Sequence, residues 1–329
     1  MAISVIVSNF NGARYLPKLL ESLKSQQGVT LEIIIVDRHS TDESAAILAQ
    51  HPDVRVVKEP PESGLVAGYH AGVPHARYEH LFFCNEDMWF TPDCLRRLEE
   101  HLNIGVRVGA VMPMQLTYDG NAVVNTGIWF RKDSWSRANP YPFRGSVWEV
   151  PKCPAVVSGI NAGACLIHRQ AYSEVSGWDT TFFLDYEDMD ISIRLWQQGW
   201  LCQVDPQAIV YHAVGASNEK VIENGRSTVG RKRYICSFSN QLVIAWKYFS
   251  GWLLLLPLLL WVDRVCRDFL KGRFSSIWLD LEVAKLCLKR LPSLVRFRRE
   301  NRNWNRIRPG QKFFTEPSFD FSALIGDKG

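Results

Sequence analysis

The sequence predicts an α/β fold with a mostly parallel central sheet, flanking helices and a helical C-terminal extension. In the first 85 residues, apolar runs typical of buried strands alternate with runs whose apolar residues recur at helical spacing. This alternation implies parallel strands joined by right-handed crossovers. Three of the predicted strands end in polar or acidic side chains, and ligands of such sheets bind beyond the carboxyl ends of the strands.

The chain opens with two predicted strand–helix pairs. Residues 3–7 form a β-branched run typical of a strand buried on both faces, and leucines at 3.6-residue spacing predict a helix over 15–23. Residues 31–36 are the next predicted strand. The following Ser40-Thr41-Asp42-Glu43 has the Ser-x-x-Glu form of a capping box, so we expect it to open the second helix.

Further along, residues 54–57 and 81–84 are predicted strands on either side of a glycine-rich helix over 65–76. Two later strands are expected around 201–204 and 208–211, with His212 at the end of the second. Between the fourth strand and these two later strands, the pattern over 109–150 weakens into short strands and Pro/Gly loops. The sequence does not predict their order.

An acidic stretch lies just before a helix-like pattern. Asp185, Glu187, Asp188 and Asp190 fall within six residues, and Gly199 is typical of a helix C-terminus. In the first turn, exposed N–H groups and the helix dipole favour anions and would keep a carboxylate ionised, as a general base must be. The alternative interpretation is that these acids only cap the helix.

Charge and cysteine content limit the class of protein. The net charge of the 329-residue chain is +4, but residues 264–308 alone carry an excess of nine Lys/Arg over Asp/Glu. No recognised nucleic-acid-binding motif accompanies this charge, so we expect no nucleic-acid partner. The eight cysteines include no C-x-x-C pair, and the N-terminus has no signal-like pattern, so we expect reduced core cysteines and a cytoplasmic protein.

The polar strand ends favour a divalent metal and a diphosphate. Mg²⁺ and Mn²⁺ take oxygen ligands, often one or two carboxylates plus phosphate oxygens of the substrate. Asp87 is the strongest ligand candidate because Asn85-Glu86-Asp87 follows four apolar strand residues. Asp37 suits an acceptor for a base or ribose, although one acid at a strand end is weak support. His212 alone would more often be a structural histidine.

Over residues 3–218, short motifs follow one another in order. They are Ser4-Val5-Ile6-Val7-Ser8-Asn9-Phe10-Asn11-Gly12, Val36-Asp37 with Ser40-Thr41-Asp42, the glycine-rich 64–73, Asn85-Glu86-Asp87 before Pro92-Asp93, Gly177-Trp178-Asp179, Glu187-Asp188 with Asp190 and Arg194, Gly199-Trp200, and Val210-Tyr211-His212. In this combination the chain resembles the inverting family 2 glycosyltransferases of the GT-A fold, a Rossmann-like α/β fold, and particularly their rhamnosyltransferase-like branch.

The resemblance implies roles for residues at the matching positions. Asp188 would be the general base that deprotonates the acceptor hydroxyl, supported by Glu187, Asp190 and Arg194. Asp87 would hold Mg²⁺ or Mn²⁺ on the diphosphate, with His212 as a further metal or diphosphate contact. The nucleotide would contact polar residues after the first, second and fourth predicted strands and one residue of the glycine-rich helix, namely Ser8, Asn9, Asn11, Asp37, Asn85 and Gly68.

The implied reaction is transfer of a sugar from a nucleotide-sugar donor, dTDP-rhamnose-like or a UDP-sugar, to a hydroxyl of a glycan or lipid-linked glycan in cell-surface polysaccharide synthesis. Two alternatives stay open, a polyprenyl-phosphate hexosyltransferase and a non-catalytic nucleotide-sugar-binding relative. The family commonly has Asn-Gly where this chain has Arg38-His39, and Asn-Asn at Tyr69-His70. The Gln-x-x-Arg-Trp motif of processive synthases is absent, which favours single transfers.

The resemblance also divides the chain. We expect a glycosyltransferase domain over 1–218, with a nucleotide-sugar half over about 1–110 and an acceptor half over about 111–218, and an extension over 219–329. Within the extension, residues 242–262 contain a single charge, Lys247, and are interrupted by Pro257.

Three arrangements fit residues 242–262: a helix in the plane of a membrane surface, a buried core helix, or a span, which takes about 20 apolar residues. Flanking tryptophans and the basic segment that follows favour the first. We therefore expect peripheral contact with the inner face of the cell membrane.

Overall fold

The structure is a computed structural model that describes residues 2–60, 64–102, 107–130, 137–138, 154–213, 222–223, 226–251, 255–272 and 274–301. Its strands are β1 (Ala2–Asn9), β2 (Thr30–Asp37), β3 (Arg55–Lys58), β4 (His80–Asn85), β5 (Met88–Phe90), β6 (Val108–Thr117), β7 (Val123–Asn125), β8 (Trp129–Phe130), β9 (Arg137–Ala138), β10 (Ala155–Val157), β11 (Ala164–His168), β12 (Leu201–His212), β13 (Ile222–Glu223) and β14 (Arg226–Ser227). Its helices are α1 (Leu16–Lys24), α2 (Ser44–Ala49), α3 (Leu65–Gly72), α4 (Cys94–Leu102), α5 (Arg169–Glu174), α6 (Glu187–Gln197), α7 (Thr228–Tyr248), α8 (Leu256–Leu270) and α9 (Phe274–Glu300).

The central sheet confirms the predicted α/β class. Its strand order is β10-β12-β6-β11-β4-β1-β2-β3, with β5 added to β12 and β7 to β6. The first four strands pair in parallel, as do β6 and β12, whereas β11 runs antiparallel between β4 and β6. Six of the ten described strands of this sheet, β1–β4, β6 and β12, therefore run in one direction, whereas β5, β7, β10 and β11 run in the opposite direction.

Strand register brings the predicted polar residues to one edge. Asn9 lies opposite Asp37, and Ser8 lies opposite Asn85. The carboxyl ends of β1, β2 and β4 therefore meet, as expected for parallel strands, and the loops that follow them share this edge of the sheet.

Apolar clusters cover both faces of the sheet. Val5 and Val7 join the cluster formed with α1 and α4, whereas Ile6 joins the cluster formed with α3, α5 and α6, as the two-residue period of a strand requires. Five of the cysteines lie buried and unpaired, namely Cys84, Cys94, Cys165, Cys202 and Cys236. Cys266 is exposed, Cys287 is half-buried, and Cys153 lies outside the described residues.

Two local predictions were wrong. The two strands expected over 201–204 and 208–211 form the single strand β12, whose pairing with β6 shifts register between Asp205 and Ile209. Pro206 and Gln207 fall in this irregularity, so the break in the sequence pattern marks a bulge rather than a strand end. The predicted helix over 65–76 ends earlier, at Gly72, and continues as a short 3₁₀ turn over Val73–His75.

The C-terminal helices pack against α6. Val243, Ile244 and Tyr248 of α7 and Leu294 of α9 form one apolar cluster with Phe182, Met189 and Ile193. The expected run over 242–262 is not one helix, because its first part belongs to α7 and its last part to α8, with 252–254 outside the described residues. None of the described helices is long and apolar enough to cross a membrane.

The two parts of this run differ in burial. Its α7 part is buried core, whereas Leu258 and Leu259 on α8 are exposed. The predicted boundary at residue 218 stays a prediction, although the helices after it share a core with the helices before it.

Candidate active site

A polar cluster joins the ends of β1 and β2. Asn9 Nδ2 donates to Asp37 Oδ1 at 2.9 Å and to Ser40 Oγ at 3.0 Å, and Ser40 Oγ donates to Asp37 Oδ1 at 2.5 Å. Asn11 adds to this cluster, since its backbone N–H donates to Ser40 Oγ and its Oδ1 accepts from the Thr41 N–H at 2.8 Å. Three predicted nucleotide-binding residues are therefore brought together.

Ser40 was missed as a site residue because its spacing to Glu43 indicated a capping box. The structure contradicts that prediction: α2 begins at Ser44, its N-cap residue is Glu43, and the first-turn N–H of Ser44 donates to Asp42 Oδ1 at 3.0 Å rather than to Ser40. The Ser40 hydroxyl is instead engaged by Asn9, Asn11 and Asp37. The Ser-x-Asp motif after Asp37 was the signal that could have identified it.

Gly68 lets α3 approach the end of β1. A Cβ at Gly68 would lie 2.5 Å from Ser8 Oγ and 3.3 Å from Arg38 Cδ, so only glycine fits without a shift. Ser8 Oγ is buried and has no hydrogen-bond partner within the described residues. Such a group is rare in folded proteins and is suited to a ligand.

Arg38 and His39 lie where the chain departs from the family, and each has a distinct environment. Burial lowers the pKa of the Arg38 guanidinium, and the nearby Glu86 and Asp37 carboxylates oppose this effect. Burial, together with Asp87, raises the pKa of Glu86 to about 8, although Arg38 acts against the rise. His39 has φ 56°, the left-handed backbone that glycine favours, and its Nδ1 lies 2.7 Å from the Glu59 carbonyl oxygen. His39 therefore has a backbone conformation that would suit the glycine common at this position in the family.

Tyr69, at the other departure, lies in the interior. Its hydroxyl donates to Asn85 Oδ1 at 2.7 Å and approaches the Ala162 carbonyl oxygen at 3.0 Å, and burial holds its pKa well above the ordinary value. Tyr69 thereby fixes the amide of Asn85 against the loop that precedes β11. His70 lies 3.4 Å from the Tyr172 hydroxyl.

Asp87 and His212 meet beside the polar cluster. Pairing of β5 with β12 places Met88 opposite His212, and the Ala213 N–H donates to the Asp87 carbonyl oxygen at 3.0 Å. His212 Nε2 then lies 3.3 Å from Asp87 Oδ1. Asp87 Oδ1 and His212 Nδ1 are both buried without a hydrogen-bond partner in the described part of the chain.

These two residues fit a divalent ion that a diphosphate helps to hold. A carboxylate and an imidazole are suitable ligands for Mn²⁺, and Mg²⁺ commonly uses one or two carboxylates plus substrate phosphates. Among the described residues no group of three His, Cys, Asp or Glu side chains forms a complete protein cage. The buried Asp87 Oδ1 without a hydrogen bond is the observation that favours a ligand there.

Asp188 lies fully buried at the start of α6. Its Oδ2 accepts from Asn161 Nδ2 at 3.3 Å, and its Oδ1 accepts from the Met189 N–H at 2.9 Å. Asn161 Oδ1 in turn accepts from the Gly163 N–H at 3.0 Å, and the Gly163 carbonyl accepts from the Asn85 N–H at 2.9 Å. Asn161, which was not predicted as a site residue, therefore links Asp188 to the strand end next to Asp87.

Asp190 and Arg194, the predicted supporting residues, lie in a different environment. Arg194 Nε donates to Asp190 Oδ2 at 2.9 Å, and its Nη1 donates to the carbonyl oxygens of Val175 and Gly177. Lys247 and Tyr248 of α7 donate to Asp190 Oδ1. This buried network connects α6 to α7 and to the turn that follows α5. Glu187 is also buried, at the first position of α6.

Solved structures identify the fold. GalNAc-T7, solved with UDP, GalNAc and Mn²⁺, matches with a TM-score of 0.56 and 16% identity over 77% of this chain and 49% of that chain. The mannosyltransferase PcManGT of Pyrobaculum calidifontis, solved with GDP-Man and Mn²⁺, matches with a TM-score of 0.53 and 15% identity over 88% of this chain and 86% of that chain. The fold is that of the GT-A glycosyltransferases.

The sequence comparison identifies the family of the N-terminal half. The profile of glycosyl transferase family 2 matches residues 4–165, so this part of the chain belongs to that family. An N-acetylglucosaminyl-diphospho-decaprenol L-rhamnosyltransferase of Mycobacterium tuberculosis is 24% identical over 64% of this chain and 75% of its own length. An uncharacterized glycosyltransferase of Nostoc is 34% identical over 37% of this chain, and the match spans 38% of that relative.

Proposed function

We propose that this chain is an inverting, metal-dependent glycosyltransferase that moves a sugar from a nucleotide-sugar donor to a hydroxyl of a glycan or lipid-linked glycan. The observation that carries the proposal is the Asp87–His212 pair, whose Asp87 Oδ1 and His212 Nδ1 atoms are buried without a hydrogen bond among the described residues, beside the Asn9–Asp37 cluster at the same sheet edge. Ligands of such α/β sheets bind beyond the carboxyl ends of the strands. The Asn9–Asp37 cluster therefore suits the nucleoside of the donor, and the Asp87–His212 pair suits its diphosphate.

The roles follow from chemistry at this edge. Asp87, with His212, would hold Mg²⁺ or Mn²⁺, and the ion would neutralise charge on the departing diphosphate. Asp188 would accept the proton of the attacking acceptor hydroxyl, and attack on the face opposite the leaving group inverts the anomeric carbon. Asn161 would hold the Asp188 carboxylate in place, since it donates to one of its oxygens.

For the donor we propose a dTDP-rhamnose-like sugar nucleotide or a UDP-sugar. The mycobacterial relative is named a rhamnosyltransferase with a decaprenol-linked acceptor, which supports both the rhamnosyl donor and a lipid-linked acceptor. The reaction would then take place at the inner face of the cell membrane, in the synthesis of a cell-surface polysaccharide.

A panel of nucleotide sugars tests this function. Thermal stability of the full chain would be measured with dTDP-rhamnose, UDP-sugars and GDP-mannose, each with Mn²⁺ and with EDTA. We expect one donor class to raise the melting temperature, chiefly with Mn²⁺, since bound ligand stabilises the folded state. The enzymatic proposal fails if no nucleotide sugar stabilises the protein under either condition.

An exposed apolar face on α8 supports contact with a membrane. Leu259, Phe269 and Leu270 are 61%, 62% and 82% exposed. They belong to a stripe at i, i+3, i+4 and i+7 spacing on one side of the helix, formed by Leu255, Leu258, Leu259, Val262, Cys266, Phe269 and Leu270. Apolar stripes of this kind are normally buried, so a partner surface is indicated.

Basic side chains accompany this α8 stripe. Among the described side chains of α8, Lys271 and α9, the exposed charged residues are mostly basic. Six are basic, namely Arg267, Lys271, Lys285, Lys289, Arg296 and Arg299, and two are acidic, namely Asp263 and Glu300. An apolar stripe with basic neighbours suits an anionic lipid surface better than a protein surface of mixed charge. We therefore propose that α8 lies on the membrane that carries the acceptor.

Vesicle flotation tests the membrane contact. Wild type should float with phosphatidylglycerol vesicles, and Leu259→Glu/Phe269→Glu should not, because charge on the stripe opposes its burial in lipid. Val56→Glu, at an exposed apolar residue of β3, is the matched control and should float like wild type. Failure of the wild type to float would refute the contact, and self-association that the double variant abolishes would assign the stripe to a second copy.

A further inference from the structure

The loop that leads into α6 has an unusual backbone. Asp185 has φ 64° and Tyr186 has φ 71°, so two consecutive residues other than glycine are left-handed immediately before Glu187 starts the helix. Such residues rarely adopt this conformation, and it persists only where surrounding structure holds it. Asp188 lies two residues further on, so the direction of this loop sets where its carboxylate points.

Helix α7 supplies the contacts that hold the loop. Asn240 Nδ2 donates to the carbonyl oxygens of Leu184 and Asp185, each at 2.8 Å. The Asp185 carboxylate accepts from Arg233 Nε at 3.2 Å, from Arg233 Nη2 at 3.1 Å and from the Ser237 hydroxyl. Both the backbone and the side chain of Asp185 are therefore bound by α7.

Helix α9 orients Asn240 in turn. Arg290 Nη1 donates to Asn240 Oδ1 at 2.5 Å, and Arg290 Nη2 donates to the Thr181 carbonyl oxygen. Because Oδ1 is occupied by this donor, the Asn240 amide presents its N–H groups to the loop. Asn240 is fully buried, so these hydrogen bonds do not compete with water.

We propose that Asn240 is a positioning residue for Asp188: it holds the Leu184 and Asp185 carbonyl groups so that α6 starts with the Asp188 carboxylate against Asn161. Asn240 touches neither substrate nor metal in this proposal and acts only through the loop. The inference rests on the proposed role of Asp188 as general base. It makes the C-terminal helices part of the catalytic unit, beyond any contact with lipid.

The main test is Asn240→Asp. This change keeps the shape and the oxygen that faces Arg290, but it replaces the donor by an acceptor beside two carbonyl oxygens. We expect kcat to fall about 10- to 100-fold, since small displacements of a catalytic group cost this much. The affinity and binding stoichiometry for nucleoside diphosphate with Mn²⁺, measured by calorimetry, should stay those of the wild type.

Two further variants keep the test decisive. Arg233→Gln changes a side chain that is 48% exposed, so folding should survive, and it should lower kcat in the same direction by a smaller factor. Ser239→Ala is the matched control on α7, because the buried Ser239 hydroxyl donates only to the Cys236 carbonyl oxygen of its own helix, and it should leave kcat unchanged.

The outcomes separate the two proposals. If Asp188→Asn is slow while folded Asn240→Asp and Arg233→Gln both turn over like wild type, the positioning role is wrong and the proposed function stands. If kcat falls only in proportion to binding stoichiometry, Asn240 merely maintains the fold and the proposal is also overturned. Should Asn240→Asp not fold, Arg233→Gln decides alone. An active Asp188→Asn would remove the base assignment and this inference with it.

Discussion

Asp188 and Asp190 lie two residues apart on α6 but have different partners. The Asp188 carboxylate accepts from Asn161 and its own helix N-terminus, on the side of the polar strand ends. The Asp190 carboxylate is bound by Arg194, Lys247 and Tyr248. Both Asp190 oxygens are already bound by these donors, so the geometry favours Asp188 over Asp190 as the base.

Asp188→Asn should slow sugar transfer and leave donor binding intact. General-base catalysis contributes about 100- to 10,000-fold, so we expect kcat to fall within that range. The measurement is single-turnover transfer, with donor affinity determined separately and Glu187→Gln measured alongside. Near wild-type transfer by Asp188→Asn, together with an inactive Glu187→Gln, would move the base assignment to Glu187.

Asp87→Ala should weaken nucleoside diphosphate binding in Mn²⁺ but change it little in EDTA, because Asp87 acts on the diphosphate through the ion. Calorimetric titration under both conditions measures this difference. Asp53→Ala removes a remote, exposed carboxylate of the same charge and is the control. Equal affinity of wild type and Asp87→Ala in Mn²⁺ would exclude the metal role.

At the scale of elements, the junction of α6 and α7 depends on Lys247. This residue interrupts the apolar run over 242–262 in the sequence, yet its ammonium is only 3% exposed and is paired with Asp190 and with Asp179, the latter at 2.8 Å. A buried charge is costly unless paired, so the three residues stabilise the junction only as a group.

Lys247→Met should therefore destabilise the protein by about 3–5 kcal/mol, the usual cost when one partner of a buried ion pair is removed. Urea unfolding monitored by tryptophan fluorescence gives the change in free energy. Lys285→Met, at a lysine that is 71% exposed, should change it by less than about 1 kcal/mol. Equal effects of the two substitutions would contradict the proposed junction.

The same junction predicts a pH dependence. Burial alone would raise the pKa of Asp179, but the Lys247 ammonium and the hydrogen bonds from Thr181 together outweigh burial and hold that pKa below its ordinary value of 3.8. A carboxyl group whose pKa is lowered in the folded state stabilises the protein at pH values above its unfolded-state pKa. This contribution is lost as the pH falls from the unfolded-state pKa through the folded-state pKa. We expect the unfolding free energy to decline below about pH 4 in the wild type.

Lys247→Met is the comparison for this titration. Without the ammonium, the lowering of the Asp179 pKa should become smaller, so the decline in unfolding free energy at low pH should become shallower. Unfolding free energies measured between pH 6 and pH 2.5 for both proteins provide the test. Parallel curves would show that Asp179 does not contribute.

At the scale of the whole molecule, the helices after residue 218 complete the apolar cluster around α6. Phe182, Met189 and Ile193 pack against side chains of α7 and α9. We therefore expect a fragment of residues 1–227 to lack a cooperative thermal transition, because this face of α6 would be exposed to water. Circular dichroism of the fragment and the full chain measures it. A fragment that melts cooperatively at the wild-type temperature would support an independent domain ending near residue 218.

Much of the structure over residues 1–110 could be predicted from local pattern. The β-branched run over 3–7, the leucine spacing over 15–23 and the polar residues Asn9, Asp37 and Asn85 at strand ends all depend on neighbours along the chain. Gly199 was also predicted as the end of α6, and its φ of 77° confirms a left-handed C-terminus. Family resemblance then supplied roles that pattern alone does not assign.

By itself the sequence determined the α/β class, the strand ends that form the polar edge, and Asp188, Asp87 and His212 as the residues to test. Tertiary structure decided the partners of residues whose local signals were ambiguous. Ser40 binds Asn9, 31 positions away, instead of capping α2, and Lys247 pairs with Asp190, 57 positions away. The physical reason is that periodicity records which face of an element is buried, whereas the identity of the opposing side chain depends on packing between distant segments.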